Sequence, residues 1–229
     1  TPVVLGGIEA SLRRVSHFDY WKNRLRPSIL CDSGADLLIY GMGELPITDL
    51  CRLLDEKLLH GMDQRSVAVK DFHQLLCRYP IKQTVALTSE ANIPGGWHDN
   101  DIRLHSYEEC LRNPRLQAEN FKHVEEESNR LQPQRMIQRT ADRYVVVQPP
   151  YPPLTTEQID RSFDLPYTRL PHPKYKGKRI PAYEMIKHSV NIHRGCFGGC
   201  AFCTISAHQG KFIVSRSKES ILREVKAIT

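Results

Sequence analysis

Val3, Val4 and Leu5 form a short apolar run closed by Gly6 and Gly7, and residues 8–14 then carry helical propensity. The pattern predicts a strand, a tight turn and a helix. The same order recurs over residues 35–40, where a second predicted strand ends in Gly41-Met42-Gly43-Glu44 and is followed by Ile47, Leu50, Cys51, Leu54 and Leu58 at helical spacing. Strands and helices in alternation argue for an open α/β sheet with parallel strands and covering helices. Residues 84–88 and 144–147 predict two more strands. Ser106, with Glu109 three residues later, has capping-box spacing for a helix that breaks near Asn113-Pro114. The stretch over 114–131 reads as polar, helical and largely exposed.

Beyond the fourth strand the pattern changes. Residues 149–181 hold 8 of the 15 prolines, so neither continuous helix nor a central strand fits there, and one short helix is expected after Thr155. Ser189, Val190, Asn191 and Ile192 predict a strand that delivers the chain to a cysteine loop. Ser217 is placed to cap a helix whose Ile221, Leu222, Val225 and Ile228 form one apolar face. These boundaries divide the chain into an α/β domain over 1–148, a proline-rich basic connector over 149–188, and a third part over 189–229. The chain begins without Met, as if entered in mid-strand, and both outer parts read as truncated.

Composition narrows the classes. With 229 residues, 40% apolar and 25% charged, the chain is an ordinary globular protein, which excludes collagen, low-complexity disorder and disulfide miniproteins. No apolar stretch approaches the roughly 20 residues of a membrane helix, and no signal peptide opens the chain. The net charge of +6 is uneven: residues 151–229 hold 13 Lys+Arg against 6 Asp+Glu. Arginine-rich runs and interleaved aromatics are missing, so nucleic acid is not expected as the main ligand. Of seven cysteines, Cys31, Cys51, Cys77 and Cys110 are scattered and read as free buried thiols of a reducing cytoplasm.

The other three, Cys196, Cys200 and Cys203, make a C-x3-C-x2-C loop. Three thiolates so close together bind a metal or repel one another. Structural zinc wants four ligands, and no second pair is evident. A cubane iron–sulfur cluster on three thiolates leaves one iron open. Gly195, Gly198 and Gly199 would let the backbone bend around a bulky inorganic core, and Arg194, Lys211 and Arg216 would favour its reduced form.

C-x3-C-x2-C with Phe202 before the third cysteine resembles the signature of radical S-adenosylmethionine (SAM) enzymes. The stretches around Asp164-Leu165-Pro166-Tyr167, Ile180-Pro181-Ala182-Tyr183, Asn191-Ile192-His193-Arg194-Gly195-Cys196 and His208-Gln209-Gly210-Lys211 look like the YgiQ-type members of that family, and so do Gly6-Gly7-Ile8-Glu9 and Tyr40-Gly41-Met42-Gly43. The resemblance implies a 4Fe-4S cluster on Cys196, Cys200 and Cys203, with SAM on its open iron and Phe202, Gly198 and Gly199 beside the cofactor. It implies reductive SAM cleavage to a 5′-deoxyadenosyl radical, an electron donor such as flavodoxin or ferredoxin, and an unknown substrate. The implied fold is an incomplete Rossmann-like, cobalamin-binding-like domain followed by the first strand, loop and helix of a TIM-type barrel. Cobalamin itself is not expected, because the histidine motif that would ligate it is not in this chain.

No catalytic residue is assignable. The rival readings are a non-enzymatic iron–sulfur or zinc module and a basic nucleic-acid-binding adaptor. His208, five residues beyond Cys203, is a candidate to face cluster or substrate. His172, between two prolines, reads as structural, and the polar group from Trp97 to Asp101 reads as a solvated turn in preference to a metal site.

Overall fold

Leu37, Leu38 and Ile39 are apolar in unbroken succession, a pattern that suits a strand covered on both faces, and all three are buried. The computed structural model describes residues 1–59 and 67–228. In chain order its first elements are β1 (Val4–Leu5), α1 (Ile8–Leu12), β2 (His17–Asp19), β3 (Arg24–Arg26), α2 (Ile29–Ser33), β4 (Leu37–Ile39), α3 (Glu44–Leu54) and α4 (Val69–Arg78). Next come β5 (Thr84–Thr88), β6 (Ile102–Leu104), α5 (Tyr107–Arg112), α6 (Pro114–Glu127), β7 (Met136–Thr140) and β8 (Arg143–Val147). The rest are α7 (Thr156–Phe163), α8 (Pro181–Ile186), β9 (His193–Arg194), α9 (Ile205–Gln209), β10 (Val214–Ser215) and α10 (Lys218–Ile228).

The chain divides into two compact units. The first comprises Thr1–Pro152 together with Cys196–Lys211, and the second comprises Pro153–Gly195 and the residues from Phe212 onward. In the first, six strands form one sheet in the order β1-β4-β5-β8-β7-β6. Side-chain alternation decides its two faces. Leu38, Val85, Val145 and Val147 meet Ala10 of α1, Val124 of α6 and Ala207 of α9 on one side. Leu37 and Ile39 meet Leu50, Phe72 and Leu76 on the other.

The α/β class expected from the alternation is present, but the sheet is mixed. Pairs β1–β4 and β6–β7 are parallel, whereas β4–β5, β5–β8 and β7–β8 are antiparallel. The short turn from Thr140 to Arg143 makes β7 and β8 a hairpin, which forces the antiparallel direction. The predicted break between α5 and α6 also forms: Ser106 closes a capping box with Glu109, and Asn113 caps α6 ahead of Pro114. Within 114–131, Asn120, Val124 and Glu127 are buried, so α6 is less exposed than its composition suggests.

The second unit holds α7, capped by a Thr155–Gln158 box, and α10, whose Ser217 hydroxyl accepts from the Ser220 amide at 3.1 Å. The strand expected over 189–192 is displaced to His193 and Arg194, which pair antiparallel with Ser215 and Val214. Among the described residues no helix is long and apolar enough to cross a membrane.

Candidate functional site

Gly195 and Phe212, the residues that flank the cysteine segment in sequence, meet at a narrow neck. Beside the β9–β10 pair, Gly195 has φ +85°, and a Cβ there would sit 2.0 Å from the Phe212 carbonyl oxygen. Only glycine satisfies both the backbone angle and the close approach. Gly195 thereby closes the neck of the segment. From Cys196 to Lys211 the chain belongs to the first unit.

Within the loop, the Gly198 amide donates to Cys196 Sγ at 3.4 Å. A Cβ on Gly198 would stand 3.3 Å from Cys196 Sγ and 3.8 Å from Cys200 Sγ, so both sulfurs face the space its missing side chain leaves. Gly199 meets nothing within 4 Å. Cys196 is half-buried, while Cys200 and Cys203 are exposed, as is Phe202 at 90%. Among the described residues no three His, Cys, Asp or Glu side chains stand together in a way that would hold a metal ion. The geometry thus brings Cys196 and Cys200 toward one glycine and does not gather Cys203 with them.

The exit from the loop is firmly seated. Arg14 Nη1 donates to the Ala207 carbonyl at 3.0 Å and to the Ser11 carbonyl at 2.6 Å, and its guanidinium lies 4.9 Å from the centre of the Tyr40 ring. The His208 carbonyl packs on the turn after β4, where a Cβ on Gly41 would meet it at 3.0 Å. Gln83 Nε2 braces that turn by donating to the Tyr40 and Met42 carbonyls. Glu125 of α6 accepts from the Ser206 hydroxyl at 3.5 Å and pairs with Lys211 at 3.3 Å. These contacts hold α9 against the end of α1, α6 and the turn after β4.

His208 is buried, and its Nδ1 has no hydrogen-bond partner. Burial, and then the charge of Arg14, push the imidazole below its ordinary value, so it is neutral at physiological pH. Burial likewise lowers Arg14. Sequence reasoning singled out His208 but missed Arg14, because nothing in Leu12-Arg13-Arg14-Val15 separates the buried arginine from its half-buried neighbour.

The basic residues expected beside a cluster are engaged elsewhere. Arg216 pairs with Glu224, donates to the Asn191 carbonyl at 2.8 Å, and lies over the Phe163 ring, as does Arg194. The polar group near Trp97 is a structural turn. Arg135 binds both oxygens of Asp101 and the Pro94 and Gly96 carbonyls, and Trp97 stacks edge-on to Tyr144. His172 caps a short turn by accepting from the Lys174 amide. Of the four scattered thiols, Cys110 is buried and Cys31 and Cys77 are half-buried, but Cys51 is exposed, contrary to expectation.

A family model described as Radical SAM N-terminal matches residues 1–189. A UPF0313 protein of Bacteroides thetaiotaomicron is 59% identical over 227 residues, covering 99% of this chain and 36% of that protein. One from Porphyromonas gingivalis is 58% identical over 228 residues, covering 100% of this chain and 33% of that protein. The UPF0313 protein YgiQ of Escherichia coli K12 is 40% identical over 263 residues, covering 99% and 36%. The chain therefore spans about a third of the length of the curated relatives it matches. No solved structure matches it. The chain belongs to the Radical SAM N-terminal family, as a protein of the UPF0313, YgiQ type.

Proposed function

We propose that this chain carries the cluster-holding part of a radical SAM enzyme. The observation that carries the reading is the convergence of Cys196 and Cys200 on Gly198, with the Gly198 amide donating to sulfur, inside a C-x3-C-x2-C segment. Three soft thiolate donors without a fourth suit a 4Fe-4S cluster with one open iron, and an amide donor to a ligating sulfur is a normal part of such sites. Cys196, Cys200 and Cys203 would be the ligands, with Cys203 drawn in from its exposed position when the cluster assembles. Gly198, Gly199 and Phe202 would lie along the SAM.

When bound, a cluster of this kind supplies one electron to the sulfonium of SAM, cleaving a carbon–sulfur bond to give methionine and a 5′-deoxyadenosyl radical. The protein's own part is ligation and orientation. The neck at Gly195 and the seat of α9 on Arg14 would hold the loop while Cys203 moves. An electron donor such as flavodoxin or ferredoxin would reduce the site. The activity and its substrate are proposed for the longer polypeptides that the relatives represent. In those, residues 1–148 would form the latter part of a Rossmann-like domain and residues 189–229 would open a TIM-type barrel. Cobalamin is not part of the proposal.

Anaerobic reconstitution followed by iron and sulfide analysis tests the reading. The expected result is iron and acid-labile sulfide in equal amounts, lost in Cys196→Ala, Cys200→Ala and Cys203→Ala. Zinc without sulfide would overturn it.

A further inference from the structure

A cavity of about 740 Å³ lies within the first unit, in the size range of small-molecule sites, which run from about 300 to 1,000 Å³. Its walls come from the β2–β3 hairpin, the end of α1, helices α5 and α6, and α9. Leu12, Val15, Leu25, Leu111, Phe121 and Val124 give it an apolar body. The polar remainder is one-sided in charge. Arg14 and Arg24 line it, whereas no aspartate or glutamate does among the described residues.

Arg14 is a built-in part of the wall: it is 4% exposed, its Nη1 is bonded to the Ser11 and Ala207 carbonyls, and its guanidinium lies over the Tyr40 ring. Arg24, by contrast, is exposed at the rim, and His17 is pushed by burial toward its neutral form and adds no charge.

From the apolar lining and its one-sided charge we propose that the cavity binds an apolar organic acid, with a branched or aromatic body lying among Leu25, Leu111 and Phe121 and the anionic group directed to Arg24. The assignment stands on the cavity alone and does not depend on the cluster.

The probe pair is anilinonaphthalene sulfonate and phenylnaphthylamine, which share their rings and differ by the acid. Fluorescence titration of the 229-residue chain should show one saturable sulfonate site. Ala118→Trp, which fills the cavity from α6, should abolish binding of both probes. Arg24→Gln, a surface change that leaves Arg14 and the fold intact, should weaken the sulfonate about fivefold and leave the neutral probe unchanged. Unaltered binding in Ala118→Trp would overturn the site. Equal loss of both probes in Arg24→Gln, or no loss of either, would overturn the acid.

Discussion

The guanidinium of Arg14 and the carbonyl of Ala207 lie 3.0 Å apart across 193 positions of sequence. Through that bond the end of α1 holds the helix by which the chain leaves its cysteine segment. Arg14→Gln removes bonds to two buried carbonyls and the stacking on Tyr40. It is expected to cost about 2–3 kcal/mol in urea denaturation. Arg14→Lys keeps the charge but not the planar fork, and should recover only part of the loss.

The two ends of the glycine series separate the neck from the loop. Gly195→Ala meets the Phe212 carbonyl at 2.0 Å in a backbone conformation that side chains avoid. A loss of at least about 1–2 kcal/mol is expected, visible as a lower Tm. Gly199→Ala meets nothing and should stay within about 0.5 kcal/mol of the parent. Gly198→Ala should leave the Tm alone and lower iron content, because its new methyl faces the sulfurs of Cys196 and Cys200.

Acid should destabilise the chain before its carboxylates titrate. His208 and His17 are both held below the ordinary value of 6.5 chiefly by burial. Near and below that value the unfolded chain binds more protons than the native one, so stability is full above it and falls as pH drops. Thermal melts from about pH 7.5 down to 5.5 should show the decline, and His208→Gln should flatten it. A slope unchanged by that substitution would remove His208 from the account.

Arg135 and Asp101 pair with side chains 4% and 1% exposed. Asp101→Asn strands the guanidinium charge among the Pro94 and Gly96 carbonyls. A cost of about 3 kcal/mol is expected from chemical denaturation, with no change in metal content.

The strands legible in sequence are those with unbroken apolar runs, β1, β4, β5 and β8. The hairpin β2–β3 was hidden because each strand carries a single apolar residue, Phe18 or Leu25, between polar neighbours. Strand β7 was hidden for a different reason. Gln138 is fully buried there, satisfied by Ser16 and the His105 carbonyl, and a buried polar residue breaks the pattern that announces a strand. Strand direction is set by connections and pairing, which hydrophobicity does not encode, and so the antiparallel centre was not foreseen. In the candidate site the spacing of the cysteines was plain. The partnership of Arg14 with Ala207 was not, since no local signal marks a contact between residues so far apart in the chain.

The central claim is that Cys196, Cys200 and Cys203 hold a cluster whose remaining iron is open to SAM. Electron paramagnetic resonance of the reconstituted, dithionite-reduced protein, with and without SAM, tests it most directly. The account predicts a cluster signal that shifts when SAM is added and is lost with Cys203→Ala. A signal indifferent to SAM would contradict it.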